Sequence, residues 1–154
     1  MIAGYENFKR CDYEAEFERL KELARKPHSG LRRSDPNYTG VSYRVKSNCV
    51  ICLEDGAIHR ADGGPAVMEV SSENRWVVEW IVNGQYHRDD GPCYINEKNG
   101  ISGWFIDGKH HRDDGPAIVN PNDDGDLYFI HGTKCTKQAQ ELYYMLKYRK
   151  SCNS

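Results

Sequence analysis

Apolar positions fall into two helical stretches at the ends of the chain and a run of short alternating segments between them. Near the start, Tyr13, Phe17, Leu20 and Ala24 recur at helical spacing. Asp12 is placed to cap this segment; Glu14 and Glu16 lie early and Arg25 and Lys26 late, matching the helix dipole. Pro27 and Gly30 stop it, residues 29–40 read as an irregular loop, and Val41, Tyr43 and Val45 alternate as a strand. At the other end Thr136 can cap a helix with Ala139, Leu142, Tyr143 and Leu146 on one face and Lys147, Arg149 and Lys150 at its close.

Between the ends the chain rhymes with itself. Gly56-Ala-Ile-His-Arg-Ala-Asp-Gly-Gly-Pro-Ala66, Gly84-Gln-Tyr-His-Arg-Asp-Asp-Gly-Pro-Cys93 and Gly108-Lys-His-His-Arg-Asp-Asp-Gly-Pro-Ala117 agree at six positions. Their first glycines are 28 and then 24 residues apart, and a decayed copy begins at Gly132. Four residues before each stand Cys52, Trp80, Trp104 and Tyr128. Such periodicity marks stacked units that bury one another's faces. Asp55-Gly56, Asn83-Gly84 and Asp107-Gly108 are favoured two-residue hairpin turns. Counting outward pairs Ile106 with Lys109, Phe105 with His110, and Trp104 with His111. The same count pairs Trp80 with His87, Cys52 with His59, and Tyr128 with Cys135. The predicted fold is mainly β, an antiparallel meander of 24-residue hairpins over 49–135, with units near 52–67, 80–95, 104–119 and from 128. An N-terminal helix and connecting segment (1–48) and a C-terminal helix (136–154) cap it.

Six cysteines (11, 49, 52, 93, 135 and 152) raise the question of disulfides or zinc. Cys52, Cys93 and Cys135 fill repeat slots held elsewhere by Trp, Ala and His, which makes them core occupants. Cys49 and Cys52 have zinc-ligand spacing, yet on a continuous strand they point to opposite faces, and no second pair completes a site. No metal or cofactor is expected. The segment Asn120–Asp126 resembles the start of a calcium loop, but its twelfth position is His131 rather than Glu, and a turn is the better reading.

Composition adds constraints rather than a function. The chain has 154 residues, 38% hydrophobic and 11% aromatic, with a net charge of -2. No apolar run is long enough to span a bilayer as a helix, and no basic-then-apolar leader opens the sequence, so a cytoplasmic location is expected. The charge is sorted. Residues 1–50 carry ten basic and seven acidic groups, 51–132 six and fifteen, and 133–154 five and one. An acidic body repels phosphates and anionic lipid heads, which disfavours nucleic-acid and membrane partners.

Trp104-Phe-Ile-Asp-Gly-Lys-His-His and Trp80-Ile-Val-Asn-Gly-Gln-Tyr-His resemble the Trp-x-x-Asn-Gly-Lys-x-His hairpin of MORN repeats. The His-Arg-x-Asp-Gly-Pro-Ala ending is similar to a divergent branch found in phages and large DNA viruses. The resemblance covers residues 50–135 and implies stacked hairpins acting as a scaffold. Lipid binding, proposed for some members, does not suit the acidic body here.

His-Arg-Asp occurs twice, but a kinase loop would need a following Asn, a Gly-rich loop and a strand lysine. Identical His and Asp residues spread along a stack do not make one asymmetric catalytic constellation. His59, His87 and His111 are therefore assigned to packing and turn hydrogen bonds, opposite Cys52, Trp80 and Trp104. Arg60, Arg88 and Arg112 are assigned to clamping Asp62, Asp90 and Asp114 or the turn carbonyls. The expected function is non-enzymatic protein binding, with a host protein as partner if the viral resemblance holds. Candidate contacts are Glu69, Glu73, Glu79, Glu97 and Trp76, the last as an exposed aromatic anchor. The alternatives are a small metal-dependent hydrolase using the turn His and Asp, and a structural subunit self-associating through strand edges.

Overall fold

The computed structural model describes residues 12–25, 41–122 and 125–151. Cys11, Cys152, Pro27, Gly30, the segment 29–40 and part of the Asn120–Asp126 segment lie outside them, so the readings made there go without a structural account. The described residues form a mainly β fold with one helix near each end. In chain order they are α1 (Tyr13–Arg25), β1 (Val41–Val45), β2 (Cys49–Glu54), β3 (Ala57–Ile58), β4 (Val67–Val70), β5 (Trp76–Glu79), β6 (Ile81–Val82) and β7 (Gln85–Tyr86). There follow β8 (Tyr94–Asn96), β9 (Ile101–Gly103), β10 (Phe105–Ile106), β11 (Lys109–His110), β12 (Ile118–Val119), β13 (Tyr128–Ile130), β14 (Thr133–Cys135) and α2 (Lys137–Ser151).

One antiparallel sheet runs in the order β1-β2-β4-β5-β8-β9-β12, with β3 paired to β2. It begins at residue 41 rather than 49, because β1 pairs with β2 along its whole length, Val41 opposite Glu54 to Val45 opposite Val50. The expected single meander over 49–135 is corrected in a second respect as well. Three hairpins, β6–β7, β10–β11 and β13–β14, form separate two-stranded sheets. The break falls at Trp80 and Trp104. The Trp80 N–H donates to the Cys93 carbonyl in the main sheet at 2.7 Å, while its own carbonyl accepts from His87 N–H at 3.2 Å in the hairpin. Trp104 does the same, donating to Ala117 and accepting from His111. Each tryptophan thus hands the chain from the main sheet to a hairpin.

The hairpin registers match the count made from the turns: Ile81 faces Tyr86, Phe105 faces His110, and Tyr128 faces Cys135. Both central residues of each Asx-Gly turn have positive φ, for example 50° at Asn83 and 72° at Gly84, as a type I′ turn requires. His131 and Gly132 form a fourth such turn, at 47° and 85°. Consecutive hairpins are stitched together. The turn amides of Gly84, Gly108 and Gly132 donate to the carbonyls of Ile58, Tyr86 and His110 in the hairpin before.

The core lies on one side of the sheet. Val50, Met68 and Val78 stand side by side in register there and are fully buried beneath Tyr13, Phe17 and Leu20 of α1. Trp76 belongs to this core. It is 2% exposed, with Tyr13 and Phe17 edge-on to its ring at 5.9 and 5.3 Å. It is therefore not a surface anchor, because the helix stripe that sequence periodicity identified lies across it. Thr136 caps α2, its hydroxyl accepting from Ala139 N–H at 3.2 Å. The buried face of α2 differs from expectation. Gln140 and Tyr144 are buried, whereas Leu142, Tyr143 and Leu146 are exposed. Gln140 wins because its side-chain amide donates to the open carbonyls of Arg112 and Phe129, which apolar side chains could not satisfy.

Each Asp-Gly-Pro turn is held by its arginine. Arg60, Arg88 and Arg112 donate from Nε to Asp62, Asp90 and Asp114 at 2.6–2.7 Å. The guanidinium of Arg88 lies over Trp80 at 3.9 Å and that of Arg112 over Trp104 at 4.1 Å. Gly91 and Gly115 press on the same guanidinium groups, 3.2 Å from where a Cβ would stand. At Gly64 a Cβ would come within 2.3 Å of the buried Arg60 guanidinium, which cannot swing out. Gly64→Ala should therefore cost about 3 kcal/mol of stability, as overpacking does. Gly91→Ala should cost less than about 1 kcal/mol, since its neighbour need shift only slightly. Urea denaturation of the two variants measures the difference; equal losses would contradict the sandwich geometry.

Candidate functional site

The repeated polar residues are engaged in holding turns. His59 Nδ1 accepts from the Asn83 amide at 2.9 Å, and His111 Nδ1 from the His131 amide at 3.2 Å, so each ring fixes the next turn. Their Nε2 atoms face Glu54 at 3.0 Å and Asp113 at 2.7 Å. His87 lies between Asp89 at 3.4 Å and Asp107 at 3.7 Å. The three histidines sit in separate hairpin units and converge on no shared point. Among the described residues no group of three or more His, Cys, Asp or Glu side chains is arranged to hold a metal ion. Cys52 and Cys93 are buried, and burial pushes each thiol up to about 11, which keeps them protonated near neutrality. Cys49 sits on the other side of β2, opposite Glu69, and Cys135 is half-buried.

One face of the main sheet carries no described helix. In register across it, Ile51, Val67, Glu79 and Tyr94 form one row, and Cys49, Glu69, Val77 and Asn96 the next. Every one of these side chains is half-buried or exposed. Burial raises the Glu79 carboxyl above its usual range; the Tyr86 hydroxyl bonded to it opposes this, and the nearby Glu69 charge adds to it. Tyr86 is itself pushed up to about 12, by burial first and by Glu79 second. An aromatic ladder continues from here through the hairpins: Tyr86 stacks on Phe105 at 4.9 Å, and tilted contacts follow from Phe105 to His110 at 4.2 Å and from His110 to Phe129 at 4.8 Å.

The expected contact residues separate on this geometry. Glu69 and Glu79 lie together on the open face, with Glu73 exposed in the adjoining turn. Glu97 does not join them. Its carboxylate accepts from the Trp76 backbone amide at 2.9 Å and so closes the end of the β5–β8 ladder. A second acidic feature is an open groove of about 580 Å³ between the turns of Arg88–Pro92 and Arg112–Asp114, rimmed by Asp89, Asp90, Asp113 and Asp114.

Sequence reasoning missed a polar cluster that docks α2. Tyr144 places its hydroxyl 3.3 Å from His111 Nε2, Tyr148 donates to Asp113 at 3.2 Å, and the His111 and His131 rings stack at 4.3 Å. Only tertiary structure brings these together, since Tyr144 lies 33 residues from His111. Compared with known proteins, the chain matches no family model, no curated protein and no solved structure.

Burial holds His111 below the usual imidazole range, and His131 adds to this although Asp113 opposes it. A lowered folded value means the unfolded chain binds the proton first, so this group's contribution to stability is full above roughly pH 6.5 and declines as pH falls through the folded value. Thermal melting between pH 7.5 and 5 should show this loss, with Tyr144 fluorescence or amide exchange reporting looser α2 docking. His111→Gln should lower stability at pH 7.5 and flatten the dependence; an unchanged slope would remove His111 as its source.

Proposed function

We propose that this protein is a non-enzymatic binding module that docks a basic segment of another protein on the open, acidic face of its sheet. The observation that carries the reading is the state of the charges. Arg60, Arg88 and Arg112 are each occupied by their own turn aspartate, so they do not neutralise the other carboxylates of the body. Glu69 and Glu79 stand among Ile51, Val67, Val77 and Tyr94, a pairing of apolar area with negative charge that suits a basic amphipathic partner. An antiparallel sheet with one covered face offers the other for such contact. The hairpins serve on this reading as copies of a MORN-like 24-residue unit, a scaffold rather than a reaction centre. A phage or viral origin, a host protein as partner and a cytoplasmic setting complete the proposal. The histidines, each bound to a neighbouring turn or carboxylate, favour it over the hydrolase alternative.

Glu69→Lys combined with Glu73→Lys should leave the melting temperature within a few degrees of the parent. It should slow association with a Lys- and Leu-rich helical peptide by about tenfold and flatten its salt dependence, because rim charges act mainly on the association rate. Stopped-flow or surface-bound kinetics at 50 and 300 mM salt would measure this. Equal rates for parent and variant would remove the acidic face as the docking surface, and turnover of a small molecule without a partner would favour the hydrolase.

A further inference from the structure

The described layers leave two surfaces uncovered, and they match. Helix α1 lies over one face of the main sheet, its stripe of Tyr13, Phe17 and Leu20 packed on Val50, Met68 and Val78. The opposite face has no described helix, and Ile51, Val67 and Val77 stand there in adjacent rows. Helix α2 has the converse arrangement. It is anchored through Gln140 and Tyr144, so Leu142, Met145 and Leu146 point away from the body, each about half exposed. Glu141 borders this stripe at its start, and Arg149 continues it at its end by helical spacing. A sheet covered on one face and a helix with an unused apolar side are the parts of a three-layer packing that the described residues do not complete within one chain.

Their charges agree in sign and in spacing. Arg44 pairs with Ile51 and Ile51 with Val67, so Arg44 lies two strands from Val67; Glu69 is two residues further along β4 on the same face. With strands ~4.8 Å apart and ~3.4 Å per residue, Arg44 and Glu69 stand about 12 Å apart. Glu141 and Arg149 are eight positions apart on α2, which at ~1.5 Å per residue is also about 12 Å. All four side chains are exposed. Arg44, Glu69 and Arg149 take part in no ion pair among the described residues, and Glu141 reaches only Lys137, at 3.9 Å. Leu142, Met145 and Leu146 lie between the two charges of the helix, as Ile51 and Val67 lie between the two charges of the sheet.

We propose, on the reading that the open sheet face docks a basic segment, that this segment is α2 of a second copy of the chain, laid from β1 to β4 with Glu141 at Arg44 and Arg149 at Glu69. The contact is head-to-tail: one copy gives its helix and the other its sheet. Two copies close into a pair if each docks on the other, and extend into a chain if they do not; mass rises with concentration in both cases. Pairing of α2 with a second α2 is disfavoured, because residues 133–154 carry five basic groups and one acidic, and like charges would meet. A single helix stripe covers less than the ~1,600 Å² of a standard interface, so a dissociation constant on the order of 100 µM is expected.

Sedimentation equilibrium of the full-length protein from about 5 to 500 µM tests this. Mass should rise above the monomer at 50 mM salt, and association should weaken about threefold or more at 300 mM. Glu69→Lys and Arg149→Glu should each weaken association at least about tenfold without lowering the melting temperature. An equimolar mixture of the two variants should regain it, because the reversed charges again meet their opposites. Leu142→Glu combined with Leu146→Glu, on the side turned from Gln140 and Tyr144, should abolish association and is the second test should a charge variant fail to fold. A monomer at every concentration, association strengthened by salt, or a mixture no stronger than its parts would overturn the proposal. So would association lost in the leucine variant but untouched by Glu69→Lys, which would assign α2 to a partner α2 instead. A monomeric protein whose open face still binds the Lys- and Leu-rich peptide, with loss in Glu69→Lys, keeps the docking surface and rejects only the second copy as its occupant.

Discussion

The buried guanidinium of Arg60 ties helix α1 to the first Asp-Gly-Gly-Pro turn. Its Nε and Nη2 hold Asp62, its Nη1 donates to the Pro65 carbonyl at 3.0 Å, and its remaining donor capacity reaches Glu16 on α1. A charge this deeply placed is tolerable only when every face of it is bonded. Burial raises both carboxyls, but the arginine outweighs it: Glu16, paired also with Arg19, and Asp62 both sit below their ordinary range. The turn geometry and the absence of a side chain at Gly64 follow from satisfying this one cation, which adds a polar tie to an α1 already packed on the sheet by its apolar stripe.

The same logic distributes function across the surface. Where an arginine is enclosed by a tryptophan and a glycine, the hairpin is complete. At Cys52 the repeat slot supplies no indole, and Glu16 of α1 pairs with the Arg60 guanidinium. Polar residues that look catalytic in a list, the three histidines and the paired aspartates, are engaged with neighbouring turns. The side chains left facing outward are different ones: the Glu69 and Glu79 carboxylates on the open sheet face, and Leu142, Met145 and Leu146 on α2, each about half exposed. The C-terminal helix binds the body through Gln140 and Tyr144, so its apolar stripe turns away from the core.

Much of the architecture can be read from local chemistry. The Asx-Gly turns set hairpin register because a type I′ turn leaves one pairing on either side of it, and Phe105 and His110 do face each other. The arginine–aspartate clamps follow from two groups two residues apart in a tight turn. The stripe of Tyr13, Phe17, Leu20 and Ala24 is buried as its spacing requires. The candidate site was only partly legible. Glu69 and Glu79 share a face, as alternation allows, but Trp76 and Glu97 do not belong with them. Periodicity could not reveal that α1 crosses Trp76, or that Glu97 closes a ladder end.

By itself, then, the sequence determined the class of fold, the positions of the turns, the two terminal helices and the division of charge, because each depends on residues close together in the chain. Only tertiary structure decided which face of α2 was buried, where the sheet parted from its hairpins, and that Glu16 of α1 pairs with Arg60. Those outcomes rest on contacts across long separations, Glu16 to Arg60 over 44 residues and Tyr144 to His111 over 33, where satisfying a buried polar group outweighs the local apolar pattern.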